Sequence, residues 1–266
     1  MLNPKDSREP QPYALNGLAA RHVVELEWHE HHPELGEVDN INPYKALVLE
    51  RVRRRQWELR GDLAGKKVLE IGCGVGRETV DLAKAGAEVV AIDISPILVE
   101  TARRRTREAG VGEKVLVELC PAESLSQLRH GRFDVVIGTG VLHHLDLAAF
   151  KKVLRSILKD GGTAQFQEPL IHNPLLRLYR LLTPHLRTRT EKPFSEDDVS
   201  AFVSDFAHSR VEYHNLVGLI ALPVPYVVGR HAARAILRAA SRVDGWLQRH
   251  WPGLMKYSQY VIIQVR

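Results

Sequence analysis

Short apolar runs alternate with amphipathic segments over residues 66–168, which predicts strands and helices in turn. Helices are expected at residues 78–85, 96–109 and 147–158. The candidates for buried strands are five short apolar runs, at residues 68–71, 89–92, 115–119, 133–137 and 163–167. Such alternation with short links is typical of a parallel sheet that is covered by helices on both faces.

The segments on either side of this core follow other patterns. Helices are predicted at residues 15–31 and 44–60. Residues 169–194 are predicted to be an irregular, basic segment that several prolines interrupt. A further helix is predicted after Ser195, which is its N-cap; residues 196–198 form its first turn and residues 199–206 its body. The remaining predicted elements are strands at 211–217 and 257–265 and mostly helical structure at 219–256.

Length and composition allow a single α/β domain with appendages. The chain has 266 residues, of which 44% are hydrophobic, and this is enough to form one full core. We expect an N-terminal arm and helical lid over residues 1–60, followed by the α/β domain over residues 61–266. Insertions in that domain are expected at about residues 170–194 and 219–256.

Charge and cysteine usage indicate the setting. The formal net charge of +5 suits anionic small molecules, anionic membranes and nucleic acid alike. Cys73 and Cys120 form no CxxC pair and no Cys/His ligand spacing, so neither a disulfide framework nor a bound metal is expected. Residues 1–13 contain no secretory leader pattern, and no apolar run reaches the roughly 18 residues of a membrane span. These features favour a reducing, cytoplasmic location.

The strongest local signal is a glycine-rich turn after the strand at residues 68–71. Gly72, Gly74 and Gly76 allow the backbone to turn sharply and a ligand to approach it without a Cβ in the way. Asp93 ends the next predicted strand, 19 residues after Gly74 (93 − 74), where its carboxylate can accept hydrogen bonds from both hydroxyls of a ribose. Glycines alone would also fit a tight turn with no ligand, but the acidic residue favours a nucleotide site.

The glycine spacing bears on which nucleotide is bound. The dinucleotide pattern GxGxxG needs a third glycine where this chain has Arg77, and no GK[ST] follows for a P-loop. The spacing therefore disfavours NAD and ATP. An NAD-dependent Rossmann oxidoreductase remains the alternative interpretation.

Five segments in order between residues 66 and 169 resemble class I S-adenosylmethionine-dependent methyltransferases: EIGCGVGRET, VVAIDIS, CPAESL, GRFDVVIGTGVLHHL and VLRSILKDGGTAQFQEP. The branch that they resemble includes quinone-biosynthesis and natural-product enzymes. The resemblance implies a doubly wound, mostly parallel seven-stranded sheet with helical lid insertions. It also implies S-adenosyl-L-methionine as cofactor and a small, hydrophobic acceptor.

The resemblance also implies which residues contact the cofactor. Glu70 and the glycine turn would face its methionine end, Ile94 would pack on the adenine, and Thr139 would lie near the sulfonium. Cys120 departs from the family, which often has Asp or Asn there. The full set of expected cofactor-binding residues is Glu70, Gly72, Cys73, Gly74, Gly76, Asp93, Ile94, Ala122, Glu123 and Thr139.

Methyl transfer from a sulfonium is an in-line displacement, and a base is needed only where the acceptor must lose a proton. The candidates are His143 and His144 after the fourth predicted strand, Glu168 at the end of the fifth, and His29 in the N-terminal lid. Each also has a purely structural interpretation. A non-catalytic S-adenosylmethionine-binding protein would fit the same motifs.

A stripe of arginines marks the insertion at residues 219–256. Arg230, Arg234, Arg238 and Arg242 recur every four residues, followed by Trp246. The pattern is typical of a helix that lies on an anionic membrane, and equally of a solvated surface helix. Nucleic acid is disfavoured, because only 6% of residues are aromatic and the fourth motif lacks Asn/Asp-Pro-Pro-Tyr/Phe. The sequence leaves the number of subunits open.

Overall fold

The computed structural model describes residues 23–24, 26–27, 43–127, 130–182, 192–217 and 224–266. Residues 23–24 and 26–27 are helical, inside the helix that is expected at residues 15–31. Most of the expected N-terminal lid, with His29, lies outside the described residues.

The described strands form one seven-stranded sheet in the order β3-β2-β1-β4-β5-β7-β6. The strands are β1 Lys67–Ile71, β2 Glu88–Asp93, β3 Val115–Leu119, β4 Phe133–Thr139, β5 Leu158–Pro169, β6 Ser209–His214 and β7 Tyr260–Val265. Strand β1 runs parallel to β2 and β4, and β2 runs parallel to β3. Strands β6 and β7 are antiparallel. The prediction of a doubly wound, mostly parallel sheet is confirmed.

Helices follow the strands much as the periodicity predicts. They are α1 Pro43–Arg60, α2 Arg77–Lys84, α3 Pro96–Glu108, α4 Leu147–Ile157, α5 Pro174–Leu182, α6 Glu196–Val203 and α7 Val224–His250. The predicted N-caps form as expected: Ser95 Oγ accepts from the Leu98 N–H at 3.4 Å, and Ser195 forms a capping box with Asp198. None of the described helices is long and apolar enough to cross a membrane.

The chain divides into two compact units. Of the described residues, the first contains 23–24, 26–27, 62–127 and 130–164. Its core includes Val68 and Leu69 of β1, both fully buried, because a central parallel strand is covered on both faces. The buried face of α2 includes Val80 and Leu82.

Of the described residues, the second unit contains 43–61, 165–182, 192–217 and 224–266. Its core includes Phe166 of β5 and Phe202 of α6, whose rings meet edge to face with centroids 5.6 Å apart. A buried polar pair attaches α1 to this unit's part of β5, since Arg60 Nε donates to Gln165 Oε1 at 2.7 Å.

Two local predictions are wrong. The segment expected to be irregular contains helix α5, because Asn173 Oδ1 caps it by accepting from the N–H groups of Leu175 and Leu176 at 3.0 and 3.2 Å. Pro174 then occupies the first helical position, which suits a proline. The dipeptide Asn173-Pro174 is thus the local signal for the start of this helix.

The second difference is at the start of β5. The sequence predicts a turn at residues 160–162 before a strand, but β5 begins at Leu158, directly after α4. Gly161 has φ 78°, and a Cβ on Gly162 would lie 2.9 Å from the Lys159 carbonyl oxygen. The two glycines thus let the chain bend tightly within the strand.

Candidate functional site

A cavity of about 220 Å³ opens in the first unit, where β1, β2 and β4 end. Ligands of open α/β sheets bind at these carboxyl ends. Most of the expected cofactor-binding residues line it: Gly72, Gly74, Asp93, Ile94, Ala122, Glu123 and Thr139. The glycine turn and the acidic residue, which were predicted separately along the chain, therefore meet at one cavity.

The three glycines of the turn differ in what surrounds them. A Cβ on Gly76 would lie 2.8 Å from Cα of Ala102, so this glycine lets α2 and α3 approach each other. A Cβ on Gly72 would lie 3.1 Å from a methyl of Val141. A Cβ on Gly74 would meet nothing within 4 Å, and Gly74 lines the cavity. All three have positive φ, which strains any other residue.

The carboxylate of Asp93 is held by the backbone on both sides. Its Oδ2 accepts from the Gly74 N–H at 2.8 Å, and its Oδ1 accepts from the Ser95 N–H at 3.0 Å. The residue is only 8% exposed, so its side chain has a defined orientation at the cavity wall. A carboxylate offers about four acceptor positions, so an oxygen bonded to one amide can still accept from a hydroxyl.

Other expected cofactor-binding residues lie outside the cavity lining. Glu70 is buried and accepts from the Thr79 hydroxyl at 2.5 Å, which joins β1 to α2. Gly76 packs against α3, and the side chain of Cys73 is buried. In this structure Glu70 and Gly76 therefore support the conformation of the glycine turn without lining the cavity.

Neither cysteine is suited to act as a nucleophile. Burial, with the nearby Asp93 and Glu70 carboxylates, raises the pKa of the Cys73 thiol well above its usual value. Cys120 lines the cavity, and burial together with Glu118 and Glu123 raises its pKa to about 12. Both thiols are therefore protonated near neutral pH.

The wall around Glu123 is joined to the start of α4. Glu123 Oε1 accepts from the Asp146 N–H at 3.2 Å. Asp146 in turn caps α4, because its Oδ1 accepts from the N–H groups of Ala148 and Ala149, each at 3.0 Å. Elsewhere in the wall, the Thr139 hydroxyl donates a hydrogen bond to Glu78 at 3.4 Å.

The proton-transfer candidates differ in position. His144 lines the cavity, while His143 does not; their ring centroids are 3.9 Å apart, with planes at 42°. Glu168 is fully buried at the end of β5, in the second unit, and is not part of this cavity's lining. His29 lies outside the described residues.

Several apolar lining residues were not foreseen from the sequence. They are Ile71, Ile92, Leu98, Val141 and Leu145. In a sequence such residues look like ordinary core positions, because nothing local shows that one of their faces borders an opening. Ile92 directly precedes Asp93, so an apolar surface and the oriented carboxylate together suit a ligand with a flat apolar ring and a sugar, such as an adenosine compound.

Comparisons with known proteins agree with this site. The family described as "Methyltransferase domain" matches residues 68–162, which include the glycine turn, Asp93 and His144. A curated relative is the ubiquinone biosynthesis O-methyltransferase of Acinetobacter baumannii strain AYE. It is 28% identical over 197 residues, which are 73% of this chain and 79% of the relative.

Two solved structures are similar in fold. The magnesium protoporphyrin IX methyltransferase of Synechocystis PCC 6803, with bound S-adenosylhomocysteine, has a TM-score of 0.55 and 19% identity over 73% of this chain and 93% of that one. The geranyl diphosphate C-methyltransferase of Streptomyces coelicolor A3(2) also has a TM-score of 0.55, with 18% identity over 82% of this chain and 80% of that one. The latter structure contains Mg²⁺, geranyl diphosphate and S-adenosylhomocysteine.

Proposed function

Because this chain is a class I S-adenosylmethionine-dependent methyltransferase that acts on a small molecule, we propose that its acceptor is hydrophobic and is methylated on a hydroxyl oxygen. The relative from Acinetobacter baumannii supports oxygen, since its name is that of an O-methyltransferase of ubiquinone biosynthesis. The apolar lining at Val141 and Leu145 supports a hydrophobic acceptor. The apolar lining is the observation that carries the acceptor proposal, while the Asp93 carboxylate, held beside Gly74 at the cavity wall, supports the cofactor.

The chain's own residues would bind and align the reactants. When bound, S-adenosylmethionine supplies an electrophilic methyl group on a sulfonium sulfur. We expect Asp93 to accept hydrogen bonds from the ribose hydroxyls, and the open space at Gly74 to admit the methionine end. Thr139 would line the reacting end of the cavity. Holding two reactants in one geometry can remove about 7–11 kcal/mol from a barrier.

A hydroxyl acceptor must lose its proton as the O–CH₃ bond forms and the S–CH₃ bond breaks. We assign His144 as the group that accepts this proton, because its side chain lines the cavity. His143 would act as a positioning residue, since its ring lies against that of His144. Glu168, the other proton acceptor expected from the sequence, is fully buried in the second unit and does not line this cavity.

Calorimetry and a transfer assay test this function together. We expect the purified protein to bind S-adenosylhomocysteine and not NAD. With methyl-labelled S-adenosylmethionine, we expect label to enter catechols, and the rate to rise as an apolar tail on the catechol lengthens. Binding without transfer to any hydroxylated acceptor would contradict the O-methyltransferase proposal, and binding of NAD instead would contradict the cofactor.

We further propose that the second unit contacts an anionic membrane, where a hydrophobic acceptor would be found. Helix α5 exposes Leu175, Leu178 and Leu182, which share one face, at 59%, 54% and 71%. Arg177 on the same helix is exposed and could meet lipid phosphates. Exposed Trp246 of α7 adds a side chain that favours the membrane interface.

Vesicle flotation tests the membrane contact. We expect the protein to float with phosphatidylglycerol vesicles, and Leu178→Gln with Leu182→Gln to abolish flotation while S-adenosylhomocysteine still binds. Ile97→Gln is the matched control, because Ile97 is an exposed apolar residue of α3 in the first unit. Flotation that survives both leucine changes, or wild-type protein that stays at the bottom, would refute the contact.

A further inference from the structure

The second unit contains a separate cavity of about 240 Å³ whose lining is rich in arginine. Arg51, Arg54 and Arg55 line it from α1, at the spacing that places three side chains on one helix face. His214 lines it at the end of β6, and Asp244 lines it from α7. Glu58 of α1 adds a second carboxylate to the lining, 3.9 Å from Arg54 Nε. Neither the glycine turn nor any residue assigned to methyl transfer takes part.

Arg55 is fully engaged within the protein and forms part of the wall. Its Nε and Nη2 donate to the two carboxylate oxygens of Glu212, both at 2.8 Å, and its Nη1 donates to Glu58 at 2.9 Å. These bonds raise the pKa of Arg55 and lower that of Glu212. The pair holds α1 against β6 and contributes no uncompensated charge to the cavity.

Arg51 differs from Arg55 in both hydrogen bonding and charge compensation. Its Nη1 donates to the Leu237 carbonyl oxygen at 2.7 Å, but its buried Nε has no hydrogen-bond partner among the residues that the structure describes. Burial and the neighbouring Arg54 lower the pKa of Arg51, in spite of the opposing effect of Asp244. The protein therefore stabilises this guanidinium less well than water does.

Asp244 compensates for the deficit only in part. Its Oδ1 accepts from the Val217 N–H at 2.8 Å, so part of its acceptor capacity is used to hold the chain after β6. Burial raises the pKa of Asp244, which means that its charged form is itself disfavoured. An anion that entered the cavity would instead meet a donor with no other partner.

Further polar side chains line the same cavity. Nε2 of His214 lies 3.6 Å from Glu212 Oε2, and His214 helps to lower the pKa of Glu212, so this ring is already paired within the protein. Tyr213 and Gln248 add a hydroxyl and an amide to the lining. Guanidinium groups with hydroxyl and amide donors around them suit the tetrahedral oxygens of phosphate.

We propose that this cavity binds the phosphate or diphosphate group of a ligand, with Arg51 as its principal contact. The site is distinct in residues from the methyl-transfer cavity, and the proposal does not depend on which acceptor is methylated. A bound phosphate would supply the charge that Arg51 lacks and a partner for its Nε.

Calorimetric titration of the full chain with pyrophosphate tests the site. Wild-type protein should bind saturably, and Arg51→Gln should weaken binding by about tenfold or more, since a charged hydrogen bond is lost. Gln248→Glu should weaken it similarly, and within the described part of the chain Gln248 makes no hydrogen bond or ion pair that this change would break. Arg104→Gln is the matched control, because Arg104 is an exposed helical arginine in the first unit. Circular dichroism and retained S-adenosylhomocysteine binding check that each variant folds.

Two results would overturn the proposal: no saturable binding by the wild type, or an equal loss in Arg104→Gln, which would indicate bulk surface charge. A second titration identifies the source of the phosphate. If it belongs to a lipid headgroup, Arg51→Gln will also weaken binding to phosphatidylglycerol vesicles, and pyrophosphate will compete. If it belongs to a soluble ligand, vesicle binding will not change in Arg51→Gln.

Discussion

The backbone N–H of Gly74 donates a 2.8 Å hydrogen bond to Oδ2 of Asp93, and so joins the glycine turn to the end of β2. Because Oδ1 is held by Ser95 at the same time, the carboxylate cannot rotate without breaking a bond. The Asp93 carboxylate is thus needed both to bind the ligand and to hold the glycine turn in its conformation. Substitutions at either residue should show both effects.

Asp93→Asn should weaken S-adenosylhomocysteine binding by about tenfold or more. The amide keeps the size of the side chain but removes the charge, and its NH₂ group must face one of two backbone N–H donors. Calorimetry measures the affinity. The control is Asp81→Asn, the same change at an exposed position of α2. Equal affinities for Asp93→Asn and wild type would contradict the assigned contact.

Alanine substitutions at three glycines with positive φ should distinguish three effects: backbone strain, a steric clash with a neighbouring helix, and loss of space for the ligand. A Cβ on residue 110 would meet nothing within 4 Å. Gly110→Ala should therefore lower the free energy of unfolding only by the backbone strain of a positive φ, about 1–2 kcal/mol. Gly74→Ala should cost a similar amount and also weaken ligand binding, because its Cβ enters the cavity. Gly76→Ala should cost about 1–3 kcal/mol more than Gly110→Ala, since it meets the Ala102 backbone.

Urea unfolding and calorimetry on the same three variants give both quantities. The result that would count against this account is a loss of affinity in Gly110→Ala as large as that in Gly74→Ala. A Gly76→Ala protein as stable as Gly110→Ala would show that the approach of α2 to α3 is not limited by this position.

His144→Gln should lower kcat by about a hundredfold or more, the usual contribution of a positioned proton acceptor. The affinity for S-adenosylhomocysteine should change little, because the change affects the acceptor's proton. His143→Gln should have a smaller effect on kcat, through the orientation of the neighbouring ring. An unchanged kcat in His144→Gln would contradict its role as the proton acceptor.

Acid should weaken the contact between α1 and β6. The folded-state pKa of Glu212 is depressed, chiefly by hydrogen bonds from Arg55, so its stabilisation is present above its ordinary value of 4.5 and is lost as pH falls below it. Glu212→Gln should therefore lower the unfolding free energy at pH 7, by about 2 kcal/mol. The difference from wild type should shrink as the pH falls below 4.5.

Urea unfolding at pH 7 and at pH 3.5 checks the sign. Glu58→Gln is a useful comparison, because Glu58 also bonds to Arg55 but is 53% exposed, and such pairs contribute at most about 1 kcal/mol. A gap between wild type and Glu212→Gln that widens in acid would contradict the argument.

The main elements of the fold could be predicted because their causes are local. The apolar run of β1 and the Ser95 and Ser195 caps depend on residues within about four positions. Helix α5 also has a local cause, the Asn173 cap, so the failure to predict it was a missed signal. The tight bend at Gly161 and Gly162 was expected as a turn, but its incorporation into β5 depends on the neighbouring start of β4.

Local patterns along the chain are enough to predict the alternation of strands and helices, the glycine turn and the acidic residue of β2. Each follows from backbone conformation and hydrogen bonds between near neighbours. Long-range packing is needed to show that Gly76 packs on Ala102, that His144 and not His143 lines the cavity, and that Arg55 pairs with Glu212, 157 residues away. Burial and charge compensation arise from residues distant in the chain, so they become defined only when the chain has folded.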